Sequence, residues 1–489
     1  MLGLAGGLVA LRFVHLDLAP FVQDEPTFLL VAREQLTTGD WATHSTLLGS
    51  AGFLYGPAPL WFYGVTQAVV GSSAQTNITV VCIIVTACQV AFCVALVRAL
   101  RRRPFRSESG RLLLAVVLSF LASSPYQFFW SRLAWDLSAN FCAFAALALL
   151  THRTVGPARS ALLGVVLGFG FSSHPMIGPL VLVIGVGLLV EHVRQLRSAL
   201  AVCGAFLVSF IAVNIPWLRY LLTVPVLAVT PAGTELSFSA RLLELVRPAS
   251  FRDFRYFLDD DYGAFARALP APLRSTTLAL AVTWILGAIV LFGLCVHARD
   301  SRPHVRRIAL LGLATAVIYP IFFQWAGFGP HPHYMFPVGW VTVAGVALAT
   351  DAGSRLRWAR VWPVAITTSI TALNLIVLFT LARFIIERGG TRGIHYGTPV
   401  VLQAEAVETL CARRGSPIYV ENATRLFEAV FRQHASRVPQ CLGRPVQLCK
   451  RPRCRDAPPS SVVARIEYAE PEGGRLRVSF ADAEPADRR

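Results

Sequence analysis

An all-α polytopic membrane fold of about eleven spans, followed by a small extracytoplasmic α/β or β-rich domain, is the architecture that these 489 residues predict. Three observations predict it. The chain is 54% hydrophobic and only 15% charged, where an average soluble domain carries about 25% charged residues. Apolar runs near spanning length follow one another as far as about residue 387, and a helix needs about 20 such residues to cross roughly 30 Å of hydrocarbon. The ends of these runs alternate between arginine-rich stretches and arginine-poor, aromatic, proline-rich ones. Insertion with cationic loops held in the cytoplasm leaves that pattern.

The first apolar segment, LGLAGGLVALRFVHL, is short, since ~14 residues cover about 21 Å as helix. It has no cationic start and no cleavage site, so it makes a poor signal peptide; a stubby helix or a start codon lying upstream is expected. Residues 15–76 are mixed in polarity and read as an external loop, with GPAPLWFYG as an interfacial helix. Spans then follow at Asn77–Leu100, Leu112–Ser124, Leu137–Leu150, Ala161–Ser172, Ile177–Val190 and Ala199–Leu222. After a polar external connection at 223–274 come Thr276–Val296, Ile308–Trp325, Val338–Thr350 and Val364–Ile386. The RRR, HRTVGPAR, VRQLR, DSRPHVRR and SRLRWAR ends fall on one side, the cytoplasm. An odd count starting inside puts the tail outside. The early loop, WSRLAWD, SSHP and HPHY share that outer face.

Net charge is +17, and Lys450 is the single lysine among the basic residues. Because the arginines sit at span ends, the charge answers to anionic lipid head groups, and nucleic acid is not an expected partner. The chain divides into a membrane domain, 1–387, and a tail, 388–489, with strand-like patches SPIYVEN, VVARIEY and GRLRVSF and a disordered end. Four of the ten cysteines, Cys411, Cys441, Cys449 and Cys454, fall in the tail. An even set in one polar domain predicts disulfides and an oxidising compartment. Free thiols are the alternative, and zinc is the weakest reading because no histidines lie close by at metal spacing.

The order of features is distinctive: ALRFVHLDLAP, then QDEP, then REQLTTGDW, then GPAPLWFYG, later SPYQFFWSRLAWDLSANF, and last HPHYMFP. This order resembles the GT-C superfamily of lipid-sugar-dependent glycosyltransferases, above all the bacterial relatives of protein O-mannosyltransferases and aminoarabinose transferases. It covers about residues 8–350. The resemblance implies transfer of a sugar from a polyprenyl-phosphate donor to a glycan, lipid or protein acceptor, with inversion. The setting it implies is the outer face of a bacterial inner membrane.

Each candidate residue carries two readings. Asp24 and Glu25 could begin a solvated helix, where the macrodipole favours acids. The resemblance makes Asp24 the catalytic base and Glu25 its partner, since an acceptor hydroxyl needs a carboxylate within hydrogen-bond reach to take its proton. Arg132 and Asp136 are spaced i, i+4 and share a helix face; they form either an interfacial salt bridge or a second acid beside a phosphate-binding arginine. His174 is a structural histidine or a substrate ligand. His331, His333 and Tyr334 occupy the turn where relatives tend to place arginine and tyrosine; histidine in place of arginine is a departure, because neutral imidazole is a weaker anion partner. Imidazole and carboxylate also bind divalent metals, so a divalent metal stays open. The loop carrying Asp259, Asp260 and Asp261 reads equally as a lid over the acceptor or an interfacial helix. Two other functions compete: a transporter or lipid flippase, and a non-catalytic GT-C relative. A transporter should carry ionisable residues near the bilayer midplane, whereas polar groups here gather on one face.

Overall fold

The computed structural model describes all residues except 22–23, 47–53, 102–103, 134–137, 225–245, 247–257, 327–337, 356–360, 394–395, 415, 423, 425–427, 442–443, 445, 450–461, 470–472 and 481–489. The chain opens with α1 (Leu2–Ala10), two single-turn 3-10 segments, and a helix pair, α2 (Glu25–Thr38) and α3 (Ala58–Val70), packed on each other. Then come α4 (Ala74–Leu100), α5 (Glu108–Ser123), α6 (Pro125–Trp130), α7 (Ser138–Leu150), α8 (Pro157–Ser173), α9 (Gly178–His192) and α10 (Leu196–Thr223). The second half of the bundle is α11 (Tyr262–Ala268), α12 (Thr276–His297), α13 (Pro303–Ala326), α14 (Gly339–Arg355) and α15 (Trp362–Arg388). Each predicted span is a helix, and most run a few residues further into the polar flanks than the apolar runs do. Ser73, Ser107 and Ser275 cap α4, α5 and α12 by accepting a first-turn N–H.

Among the described residues, six helices are long and apolar enough to cross a membrane: Ala74–Leu100, Pro175–His192, Leu196–Thr223, Thr276–His297, Pro303–Gln324 and Trp362–Arg388. The expected count of about eleven also drew on α1, α5, α7, α8 and α14, which have 9, 16, 13, 17 and 17 residues. Those are shorter than the about 20 residues of a full span. Large apolar side chains such as Leu207, Trp284 and Phe379 stay exposed on the outer helices, a surface suited to lipid.

Close packing is built from small residues. A Cβ on Gly293 of α12 would lie 2.3 Å from the Gly345 carbonyl oxygen of α14, and one on Gly345 would lie 2.5 Å from a Val290 methyl. The two backbones therefore touch, as small residues permit between membrane helices.

The two ends of the bundle differ. At the arginine end, buried Asp351 of α14 takes ion-pair contacts from Arg101 at 2.7 Å, Arg355 at 2.6 Å and His297 at 3.2 Å. Asp300 accepts from Arg302 at 2.7 Å, and that bond, with the Arg302 backbone N–H, holds its carboxyl below the usual carboxylate range. Arg302 also donates to the Leu100 carbonyl at 2.8 Å. Arg307 pairs with Glu191 and donates to the Leu150 and His152 carbonyls at 2.8 and 2.9 Å. The ends of α4, α7, α9, α12, α13 and α14 are thereby tied together.

At the other end sits the tail, with α16 (Val400–Ala412), α17 (Glu428–Ala435) and strands β1 (Ile418–Asn422), β2 (Val446–Cys449), β3 (Val462–Tyr468) and β4 (Leu476–Phe480). The sheet order is β2-β1-β3-β4, with β1 parallel to both β2 and β3 and with β4 antiparallel. This is the α/β form of the predicted domain. Cys411 and Cys441 form a disulfide, and Cys449 is disulfide-bonded too; Cys454 lies outside the described residues. The tail grips the first loop: Val400 N–H donates to the Ala19 carbonyl at 3.1 Å, Gln403 Nε2 to the Phe21 carbonyl at 2.9 Å, and Gln433 Nε2 to the Ser72 carbonyl at 2.8 Å.

Candidate active site

A cavity of about 480 Å³ opens between the end of α1, α6 and the last turns of α15. Its wall along α15 runs from Leu375 to Ile386 and includes Leu378 and Phe379. That is about 17 Å of helix, apolar except for Arg383, which pairs with Glu387 at 2.6 Å near the tail end. At the tail end the lining changes to His15, Arg132 and Tyr396. The cavity thus has a long, mostly apolar wall and a polar head in which Arg132 stands near the Arg383–Glu387 pair.

Local structure sets Arg132. Ser124 caps α6 with Pro125 at its start, and after Trp130 the chain turns so that the arginine faces the first loop. Its guanidinium donates from Nη2 to the carbonyls of Val14, at 3.0 Å, and His15, and it lies 5.0 Å from the Phe128 ring centre. Among the described residues its Nε is buried without a partner. Tyr396 donates its hydroxyl to the Leu18 carbonyl at 2.7 Å, closing the same corner.

The strand of chain that lines this corner, Leu18–Pro20, leads directly to the two acids. Asp24 is the N-cap residue of α2. The Phe28 N–H bonds its backbone carbonyl at 2.9 Å, but its side chain makes no capping bond to the first turn. The carboxylate is half-buried, next to the positive end of the helix dipole. Glu25 begins α2 and is only 2% exposed, with Pro26 fixing the first turn. Asp24 and Glu25 are thus placed a few residues beyond the cationic head of the groove.

No protein-family profile matches the sequence, and no curated protein aligns with it. Solved structures do match in shape. The chain is similar to ArnT from Cupriavidus metallidurans in the apo state, at 14% identity and a TM-score of 0.50, over 99% of this chain and 97% of that one. It is similar to the same protein bound to undecaprenyl phosphate, at 13% identity and a TM-score of 0.51, with the same coverage. The chain has the fold of these ArnT structures. With its six apolar helices, it is an integral membrane protein. A fainter likeness, with a TM-score of 0.41 and 11% identity, joins 81% of this chain to 52% of an Archaeoglobus fulgidus oligosaccharyltransferase.

Within this fold the other predicted residues separate. His174 is 3% exposed. Its Nδ1 accepts the Met176 N–H at 3.2 Å and its ring packs 5.1 Å from Tyr55, so it caps a turn and lines no part of the groove. Asp136, His331, His333 and Tyr334 lie outside the described residues. Among the described residues no three His, Cys, Asp or Glu side chains converge to hold a metal. Asp259 and Asp261 flank a single 3-10 turn, where the Asp261 carboxylate accepts the Arg392 N–H at 2.7 Å.

One feature of the site went unpredicted. Arg12, at the end of the first apolar segment, is 1% exposed. It donates to Gln89 of α4 and, at 2.7 Å, to the Leu121 carbonyl of α5. Gln89 Nε2 in turn donates to Gln127 Oε1 at 2.6 Å. A Cβ on Gly339 would fall 2.1 Å from Gln127 Nε2, so the chain of polar groups ends against the start of α14. A buried arginine and two glutamines within apolar runs are the signal that could have found it, since such groups are costly in a membrane domain and need partners.

Proposed function

We propose that this chain is a membrane glycosyltransferase that moves a sugar from a polyprenyl-phosphate donor to an acceptor on the extracytoplasmic face, with inversion. The observation that carries the reading is the shape of the groove: a mostly apolar wall about three helical turns long, ending at the Arg132 guanidinium, whose Nε is buried without a partner among the described residues. A lipid with one long tail and an anionic head matches both parts. The Cupriavidus ArnT whose fold it shares binds undecaprenyl phosphate, which supports the same ligand class.

In this mechanism the lipid tail lies along α15 and the phosphate meets Arg132. An acceptor hydroxyl enters beside Asp24, which takes its proton as the oxygen attacks the anomeric carbon. The bond from that carbon to the phosphate oxygen breaks, and its electron pair leaves on the phosphate. Arg132 is placed to stabilise the charge that grows there. Products are the inverted glycoside and the polyprenyl phosphate; Asp24 returns its proton to water. Glu25 orients Asp24, and the tail domain, holding the loop between them, keeps acid and groove in register.

The test is transfer of radiolabelled sugar from a set of polyprenyl-phosphate sugars by purified protein. Asp24→Asn, which keeps size and removes the base, should lower kcat by about 10²- to 10⁴-fold with donor KM little changed. A folded Asn variant as active as wild type would remove Asp24 from the role.

A further inference from the structure

A second cavity, of about 500 Å³, lies where the tail domain meets the start of α4, and we infer that it binds a neutral, hydroxyl-rich saccharide segment of the acceptor. Calling that saccharide the acceptor rests on the transferase reading; its binding does not. The volume falls in the range of about 300–1,000 Å³ typical of small-molecule sites. Glu408 comes from α16, Gln433 and His434 from α17, Arg437 and Gln440 from the turn that follows, and Gln75 from α4. The lining carries one carboxylate, Glu408, and one guanidinium, Arg437, so its formal charge is zero and no excess of either sign favours an ionic ligand. Hydroxyls both donate and accept, and carboxamides, carboxylate and guanidinium together offer partners for both roles.

Two groups lack only a donor. Gln433 Nε2 donates to the Ser72 carbonyl at 2.8 Å, which fixes the orientation of the amide. Its Oε1 is then buried without a partner among the described residues. Buried polar atoms in folded proteins are nearly always paired, so this oxygen calls for a donor from outside the chain. His434 Nε2 lies 3.2 Å from Gln403 Oε1. Gln403 Nε2 already donates to the Phe21 and Thr398 carbonyls, so its Oε1 must accept. His434 therefore donates from Nε2 and keeps a lone pair on Nδ1. Burial pushes this histidine down to about 4, and the ring stays neutral.

One lining residue also touches the chain that leads to Asp24. The His434 ring packs edge-on against Phe21 at 5.7 Å, and Phe21 is three residues ahead of Asp24. A saccharide held here would sit beside the strand of chain that delivers the base.

The experiment applies full-length protein in detergent micelles to an array of neutral oligosaccharides and their phosphorylated counterparts. Wild type should retain neutral members. Gln433→Leu and Glu408→Ala should each cut retention at least tenfold at unchanged melting temperature; Gln440→Ala, an exposed substitution, serves if Gln433→Leu disturbs the tail. Retention no higher than empty micelles, retention of phosphorylated members alone, or variants that bind like wild type would overturn the site. Protein that binds saccharide but transfers no sugar keeps this site and sinks the transferase reading. Protein that transfers sugar but binds no saccharide does the reverse.

Discussion

Replacing Arg132 with glutamine separates the anion-binding role of this side chain from its structural one. The guanidinium spends Nη2 on the carbonyls of Val14 and His15 and has its buried Nε left over. Losing the two backbone bonds, each from a charged donor, costs about 1.5–3 kcal/mol each, and that cost falls equally on any ligand state. Losing a charge-assisted bond to phosphate costs about 1.5–3 kcal/mol, roughly 10- to 150-fold in affinity, and falls only on an anionic head. The ratio of affinities for undecaprenyl phosphate and undecaprenol isolates the second effect, and native mass spectrometry of the purified protein with both lipids reads it directly. Arg132→Gln should reduce the ratio by that factor while undecaprenol binding barely moves. Arg132→Lys should fall between, since it keeps charge but loses the planar fork. A ratio preserved within about twofold in the glutamine variant would refute the placement of phosphate at this corner.

Other consequences are open to measurement. Asp351→Asn removes the counter-charge that Arg101 meets at 2.7 Å, while Arg355 and His297 keep Asp300 at 3.6 and 4.0 Å; with the arginines partly in solvent the cost should fall below the about 3–5 kcal/mol of a fully buried pair, read as a lower melting temperature in detergent, and an unchanged melt would show the cluster to be ornamental. Cys411→Ser opens a disulfide that joins residues 30 apart, worth about 3–4 kcal/mol by loop entropy, so hydrogen exchange in α16 and β1 should accelerate while α12 and α14 stay protected. His434 sits near 4 when folded, below the ordinary value of about 6.5. The unfolded chain binds its proton first as pH falls, so tail stability is full above about 6.5 and drops by up to about 3 kcal/mol toward pH 4. His434→Gln should flatten that slope in pH-dependent exchange, and an identical slope in the variant would assign it to other groups.

Much of this architecture was legible from residue order. Apolar runs such as Ala199–Leu222 and Thr276–Val296 are long, and their arginine or proline borders mark where they stop, so α10 and α12 could be placed within a few residues. Strands β1, β3 and β4 announced themselves by alternation, while β2, with its short VQLC beside a basic stretch, carried too little pattern. The pairing of Cys411 with Cys441 needed the fold, because four cysteines permit three connectivities. At the site, the QDEP acids were legible as acids on one face. Their relation to Arg132 was not, since it runs through the first loop and the Val14 and His15 carbonyls, more than a hundred residues away in sequence. The Arg12–Gln89–Gln127 chain was hidden for the same reason. The arginines at span ends were read as insertion signals; Arg307 and Arg302 prove also to be struts.

Those struts give the molecule a hinge-free base. Six helix ends are tied there, and two of the carboxylates that tie them, Asp300 and Asp351, are buried, so parting the helices they join would strand charge in a low-dielectric setting. A carrier that must expose its cargo first to one compartment and then to the other needs both poles to part in turn. Ties of this kind hold the arginine end together, as chemistry confined to the opposite surface, proposed above, would require.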